Sequence, residues 1–507
     1  MPSSLAVVGG RQITPSGTII TPCSRPTLGR RATCTSVCSA SSSDKPRNAA
    51  SAPASKASSS GTKGTRVPRA NTPEPPAVVL GPPLQGPFAD VGDPSDPQTS
   101  RSSSGYWELI NPGSWEQNGP EPFGGRARSA SDANVLRRKG HLKEQDMLID
   151  HMRRMHETHT CEEVMTKMER WIAEHRRDSK RSRLKRLLPS IGNFFLPLRL
   201  VDAFHEYDNV FALSRRRYIH PNFAELRHIL NIAQVHASAE TMKLITFDAD
   251  GTLYADGSHF DQDNQMISHL ISLMRNKVQV AIVTAAGYPG QAHMFEGRLA
   301  GLLEAFRVLK LPAEVTDRFH IMGGECNYLL RVTPETKRLE FVPGPEWETP
   351  IMHEWRETDI KELLDNAQVM LEESAKAHKL EVKVIKKARS CGIVPTQPTI
   401  YEVLEDIALT VQNQLEAPLP FCAFNGGNDV FVDVGNKSIG LEALQLYLGA
   451  KPSETLHVGD RFTLSGNDSA TRDTCSVLWV ANPEETGFFI KLLLKDIRDS
   501  RWHPYIE

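Results

Sequence analysis

Apolar positions along the chain follow two periods, and the switches between them outline the architecture. From Val135 to Arg177 the spacing is helical: Val164, Met168, Trp171 and Ile172 fall at i, i+4, i+7 and i+8, one face of a helix. Pro221 opens a second predicted helix through His236, with Leu226, Ile229, Leu230 and Ala233 as its stripe. The pattern then changes. Lys243-Leu244-Ile245-Thr246-Phe247 is a short apolar run of strand type. Met266, Leu270, Leu273 and Met274 return to helical spacing, and Val278 to Thr284 reads as a second buried strand. Strand, helix and strand in succession point to an α/β sheet. Near the end, Leu441, Leu444 and Leu448 mark another helix, and Thr455 to Asp460 another strand.

Between Thr284 and Lys437 lie about 150 residues, far more than a strand-to-helix connection needs. Strand-like runs at 319–332, 338–342 and 381–385 and helical runs near 291–309 and 355–379 fill the interval. The reading is an α/β fold: a Rossmann-like core over 241–288 and 421–507, an inserted α/β cap over 289–420, and a helical N-terminal region over 131–240. A chain of 507 residues exceeds what one hydrophobic core usually serves, which agrees with several units.

Residues 1–130 differ. The first seventy hold fourteen Ser, ten Lys or Arg and one acidic residue, Asp44, a bias that fits a plastid or mitochondrial transit peptide. Val37-Cys38-Ser39-Ala40 is a candidate processing site; the alternatives are a disordered tail and a cytoplasmic protein. Residues 71–130, rich in Pro, Gly and Ser, read as linker, with Tyr106, Trp107 and Trp115 as candidate docking aromatics. The net charge of -2 gives no overall attraction to nucleic acid, and no apolar run reaches the roughly 18 residues of a membrane span. The eight cysteines are irregularly spaced, which suits neither a disulfide framework nor a zinc site. The basic run from Arg176 to Arg186 reads either as a solvated helix end or as an anion or subunit contact.

The candidate chemistry starts where the first core strand stops, at Asp248-Ala249-Asp250-Gly251-Thr252. Open α/β sheets place ligands at the carboxyl ends of their strands. Asp248 is there positioned to attack phosphorus, and Asp250 to protonate the leaving oxygen and later deprotonate water. A calcium loop would need Gly at its sixth position and Glu at its twelfth; Leu253 and His259 stand there instead. Thr284 ends the second strand with a hydroxyl suited to a phosphate oxygen. Lys437 opens a helix, where the dipole disfavours a cation, so an anionic partner is expected. Asp460 ends the last strand, and with Asp248 and the backbone carbonyl at Asp250 it supplies the hard oxygens that suit Mg²⁺, with Asp468 a candidate further ligand, directly or through water.

The sequence resembles the inosine-monophosphate-specific 5'-nucleotidases of the haloacid-dehalogenase-like superfamily over roughly residues 131–507. The resemblance rests on Asp248-Ala-Asp250-Gly-Thr-Leu-Tyr-Ala-Asp256-Gly, Ile321-Met-Gly-Gly-Glu-Cys-Asn-Tyr-Leu-Leu-Arg331, Phe424-Asn-Gly-Gly-Asn-Asp-Val-Phe-Val-Asp-Val-Gly-Asn-Lys437 and His457-Val-Gly-Asp460. It implies hydrolysis of IMP with Mg²⁺, stimulation by ATP, and a homo-oligomer, commonly a tetramer. It implies that Asp248, Asp250, Asp256, Thr284 and Lys437 contact IMP and that Asp248, Asp250 and Asp460 surround the metal, with Asp468 a further ligand. His228 is the candidate for the ATP site. Gly323, Gly324, Glu325 and Asn327 are candidates to read the base or ribose, or else form a turn. Ser469 stands where an aromatic is expected, so base stacking would be supplied differently. The other readings are a sugar-phosphate phosphatase or phosphomutase of the same superfamily, and a non-catalytic nucleotide-binding subunit.

Overall fold

A computed structural model describes residues 145–502. The leader, the linker and its aromatics, and the start of the N-terminal region lie outside the described residues. The first helical stretch is broken into α1 (Met147–Met155) and α2 (Cys161–Arg177). Thr160 and Glu163 form a reciprocal capping box at the start of α2, satisfying donors that the helix leaves open. Val164, Met168 and Ile172 are buried along its expected face. After α3 (Leu200–Phe211) comes α4 (Phe223–Ala239), where Asn222 is the N-cap and pairs with Glu225; Pro221 therefore precedes the cap. The rest of the chain supplies α5 (Met266–Arg275), α6 (Ala292–Arg298), α7 (Ala300–Val308), α8 (Glu357–Ala377), α9 (Tyr401–Gln414), α10 (Lys437–Leu448) and α11 (Pro483–Trp502).

Eleven strands are described: β1 (Leu244–Phe247), β2 (Gln279–Thr284), β3 (Phe319–Gly323), β4 (Tyr328–Val332), β5 (Leu339–Phe341), β6 (Val382–Lys386), β7 (Ser390–Pro395), β8 (Phe421–Asn425), β9 (Val430–Val434), β10 (Thr455–Gly459) and β11 (Ser476–Trp479). Seven form the core sheet in the order β11-β10-β1-β2-β3-β4-β5. The strands from β11 through β3 are parallel, and β4 and β5 add an antiparallel edge. β1 sits in the middle of the five parallel strands with every residue buried, as a parallel strand covered on both faces should be. Each large apolar side chain so buried contributes about 1.5–3 kcal/mol. The second sheet is antiparallel, β6-β7-β9-β8, and packs α8 and α9 around its own apolar cluster.

This arrangement corrects the boundary at 289–420. β3, β4 and β5 were expected in the cap, yet β3 continues the parallel register from β2, with Thr284 beside Gly323. β8 and β9 were expected in the core, yet they complete the second sheet. The cap sheet thus spans 382–434, and its last strand ends three residues before Lys437.

The N-terminal helices share the principal apolar cluster with the core sheet and α11. Arg227 on α4 grips Glu485 on α11 through two bonds of 2.7 and 2.8 Å, a bidentate pair that fixes the two helices. His236 on α4 lies 2.7 Å from Asp496 and 2.8 Å from Glu206. These carboxylates raise its pKa to about 9 against the opposing effect of burial. Its ordinary value is 6.5, so the stabilisation is fully present below that pH and is lost as pH rises through about 9. The melting-temperature difference between wild type and His236→Gln should therefore be largest near pH 6 and vanish by about pH 10. A difference constant across that range would show that the ion pairs are not its source.

Candidate active site

Four chain segments meet at the carboxyl edge of β1, β2 and β10. Asp248 directly follows β1, and its N–H donates to Val458 at 2.8 Å, extending the pairing with β10. Gly251 follows with φ +78, and a Cβ there would lie 2.8 Å from an oxygen of Asp460. Only glycine allows both that backbone turn and the close approach of the second acidic strand end. Asp248 is buried, while the Asp250 carboxylate is partly exposed and accepts two contacts from Arg298 Nη1, at 3.0 and 3.1 Å.

At the end of β2, the Thr284 Oγ1 accepts from the Ala286 N–H at 3.1 Å. A hydroxyl that accepts there still has its own hydrogen to donate. Lys437 stands at the first turn of α10, capped by Asn436, and is fully buried. Its ammonium is 2.5 Å from Asp248 Oδ1 and 2.6 Å from Asp468 Oδ1. These carboxylates account for a cation placed against the helix dipole. Asp468 also accepts from His457 Nε2 at 3.0 Å and from the Arg461 N–H at 2.9 Å. His457 in turn meets the Thr246 hydroxyl at 2.8 Å, so a polar chain runs beneath the site from β1 to Lys437.

Asp248, Asp460 and Asp468 each place one oxygen within 4.8 Å of the others. The set is hard, anionic and buried, and it fits a divalent cation such as Mg²⁺. The carboxylate of Asp250 is not among these three; Arg298 holds it. Burial pushes Asp248 up to about 7 against the pull of Lys437, and the neighbouring Asp468 and Asp460 carboxylates add to the rise. Burial opposes ionisation of Asp468 as well, but Lys437 and His457 outweigh it and hold its pKa well below the usual range.

The remaining sequence candidates fall at different distances from this crevice. Asp256 lies just past the catalytic loop, its side chain 54% exposed, with Oδ1 3.3 Å from Arg461 Nη2. Asn327 departs from the expectation of a base reader: its side-chain N–H groups donate to the carbonyls of Gly324 at 2.7 Å and Val434 at 2.8 Å. The amide ties the β3–β4 turn to the end of the cap sheet. Gly324 and Glu325 both have positive φ, +59 and +64, so the tight-turn alternative describes their backbone. His228 is elsewhere, buried beside Arg227, with Nε2 2.9 Å from Glu485. A ligand reaching that ring would have to displace the α4–α11 ion pair.

Sequence reasoning missed Arg298, His457 and Arg461 as parts of the site, and offered Glu325 only as a reader of the base or ribose or as part of a turn. Glu325 is fully buried, accepts from Asn467 at 2.8 Å, and is pushed up to about 8 by burial. A charged residue inside an apolar-flanked turn was the available signal. His457 and Arg461 flank the Gly459-Asp460 pair and were legible only as neighbours of the carboxylate.

The model of the IMP-specific 5'-nucleotidase family matches residues 130–490. The chain is 40% identical over 336 residues to the IMP-specific 5'-nucleotidase 1 of Yarrowia lipolytica, covering 64% of this chain and 80% of that protein. It is 43% identical over 328 residues to the protein of the same name from Aspergillus fumigatus, covering 62% and 73%. An IMP-bound mutant of Plasmodium falciparum IMP-nucleotidase aligns with a TM-score of 0.63 at 35% identity, covering 73% of this chain and all of that one. The ATP-bound form of the same nucleotidase gives 0.64 at 34% identity, with 72% and 90% covered.

Proposed function

This chain belongs to the IMP-specific 5'-nucleotidase family, and we propose that it hydrolyses inosine 5'-monophosphate through an aspartyl-phosphate on Asp248, with Mg²⁺ as cofactor and ATP as activator. The observation that carries this reading is the meeting of Asp248, Lys437, Asp460 and Asp468 in one crevice, with Thr284 ending the adjacent parallel strand β2. An Asp248 oxygen attacks the phosphorus of the 5'-phosphate. The bond from phosphorus to the ribose oxygen breaks, and Asp250 gives that oxygen its proton. Inosine leaves. Asp250 then takes a proton from water, the water oxygen bonds to phosphorus, and the bond to Asp248 breaks, releasing phosphate.

Lys437 and the Thr284 hydroxyl orient the phosphate and offset its charge. Asp248, Asp460, Asp468 and the Asp250 carbonyl would hold Mg²⁺, which when bound offsets the negative charge of phosphate and carboxylates. Asp256, just past the Asp248–Thr252 motif, would contact the ribose or another part of the nucleotide. The ATP-bound relative supports nucleotide regulation of this chain, and the family resemblance supports a tetramer; sedimentation with and without ATP tests both. A purely binding subunit would need neither a nucleophile nor the charge arrangement around it.

Phosphate release from IMP tests the reading. Activity should vanish in a metal-stripped sample and return with Mg²⁺. Asp460→Ala should raise the Mg²⁺ needed for half-maximal activity by about tenfold or more, since a direct carboxylate ligand is lost. Undiminished activity in a chelator would contradict the site as described.

A further inference from the structure

The loop after β10 does more than present Asp460. The next residue, Arg461, belongs to the core but reaches the cap sheet. Its Nη1 donates to the carbonyl of Asn425 at 2.8 Å, and its Nη2 to the carbonyl of Gly426 at 3.1 Å, both at the end of β8. Nη2 also lies 3.3 Å from Asp256, and Nε 3.7 Å from Asp460 Oδ1. One guanidinium, only 11% exposed, therefore touches the cap, the loop beyond the catalytic motif and a metal-site carboxylate.

A second tie lies on the same loop. The Ser465 hydroxyl donates to Glu405 on the cap helix α9, and the Asn425 side chain donates to the other oxygen of Glu405 at 3.2 Å. The loop has little room to relax: a Cβ on Gly466 would lie 2.0 Å from the Arg461 carbonyl. The core thus grips β8 and α9 at two points four residues apart, beside the crevice.

The geometry points to a clasp formed by Arg461 and Ser465 that holds the cap against the core, with Arg461 as the positioning residue, so that hydrolysis of a nucleotide depends on the docked cap while hydrolysis of a small aryl phosphate does not. The inference rests on the nucleotidase reading. A nucleoside extends beyond the phosphate and gains from contacts remote from the reacting bond, and such contacts accelerate reaction only when they are held in place. An aryl phosphate uses the phosphate crevice and little else. Lysine cannot substitute, because a single ammonium does not present the planar fork that spans two carbonyls and two carboxylates. The simpler alternative is that Arg461 only balances the charge of Asp460. That alternative makes the two substrates suffer alike and moves the Mg²⁺ requirement.

The test uses the full chain with Arg461→Gln, Arg461→Lys and Ser465→Ala, assayed on IMP and p-nitrophenyl phosphate across a Mg²⁺ titration, with melting temperatures measured in parallel. Arg461→Gln is expected to lose about 100-fold in kcat/KM on IMP and at least about tenfold less than that on the aryl phosphate, with the Mg²⁺ midpoint within about twofold of wild type. Arg461→Lys should fail to restore IMP hydrolysis. Ser465→Ala should show the same contrast at about tenfold, and it decides the matter alone if Arg461→Gln does not fold. Equal losses on both substrates, or a Mg²⁺ midpoint moved about tenfold, overturn the clasp. A wild type inactive on IMP overturns the nucleotidase reading as well, whereas an active wild type without substrate contrast in the variants overturns the clasp alone.

Discussion

Asp248→Asn is expected to lower turnover on IMP by about 10⁴- to 10⁶-fold, the scale seen when a covalent nucleophile is removed. The amide is nearly the same shape as the carboxylate but lacks the anionic oxygen that must attack phosphorus. The fold should survive, because Lys437 keeps its 2.6 Å partner Asp468 when the charge on Asp248 is lost. IMP binding should survive too, or tighten, since one negative charge beside the phosphate is gone. Calorimetry with IMP and a phosphate-release assay separate these effects. Near-normal release from Asp248→Asn would remove Asp248 from the role of nucleophile.

Lys437→Met should produce the second large effect, this time on both activity and stability. The ammonium is fully buried between Asp248 and Asp468. Removing one partner of a buried ion pair leaves uncompensated charge and costs about 3–5 kcal/mol. Turnover on IMP should fall by about 10³-fold, because a preorganised cation facing the transferring phosphate is lost. The stability loss has a distinctive remedy. A divalent cation among Asp248, Asp460 and Asp468 replaces the missing charge, so Mg²⁺ should raise the melting temperature of the variant more than that of wild type. An equal rise in both proteins would argue against a cation site shared by those carboxylates.

The parts of the site legible in the sequence were those whose signal is local. Asp248, Thr284 and Asp460 each directly follow or end a short apolar strand, and sheet geometry brings parallel strand ends together. Lys437 was legible as an anomaly, a cation at the start of a helix. The cap boundary was not legible. β3 to β5 and β6 to β9 are all short apolar runs, and membership in a sheet is decided by pairing between distant segments. Thr284 beside Gly323 places β3 in the core, and nothing near either residue announces that contact. Arg461 and His457 were missed for the same reason. Arg461 acts on Asn425 and Asp256, and His457 on Thr246, through contacts separated by 36 to 211 residues. Asn327 shows a role the motif did not announce: its amide hydrogens serve the main chain, tying the β3–β4 turn to the end of β9.

The core motifs act on phosphate alone, so they treat IMP, AMP, GMP and a hexose phosphate alike. Any discrimination has to come from groups that meet the base and ribose. A site built to hydrogen-bond one partner can reject an analogue by about 10⁴-fold when its polar groups are left unpaired. The most direct measurement is therefore kcat/KM for phosphate release by the wild-type chain on these four substrates, with Mg²⁺ present. The expected result is a large preference for IMP over the other three. Comparable values on IMP, AMP and a hexose phosphate would contradict the assignment of this chain's substrate.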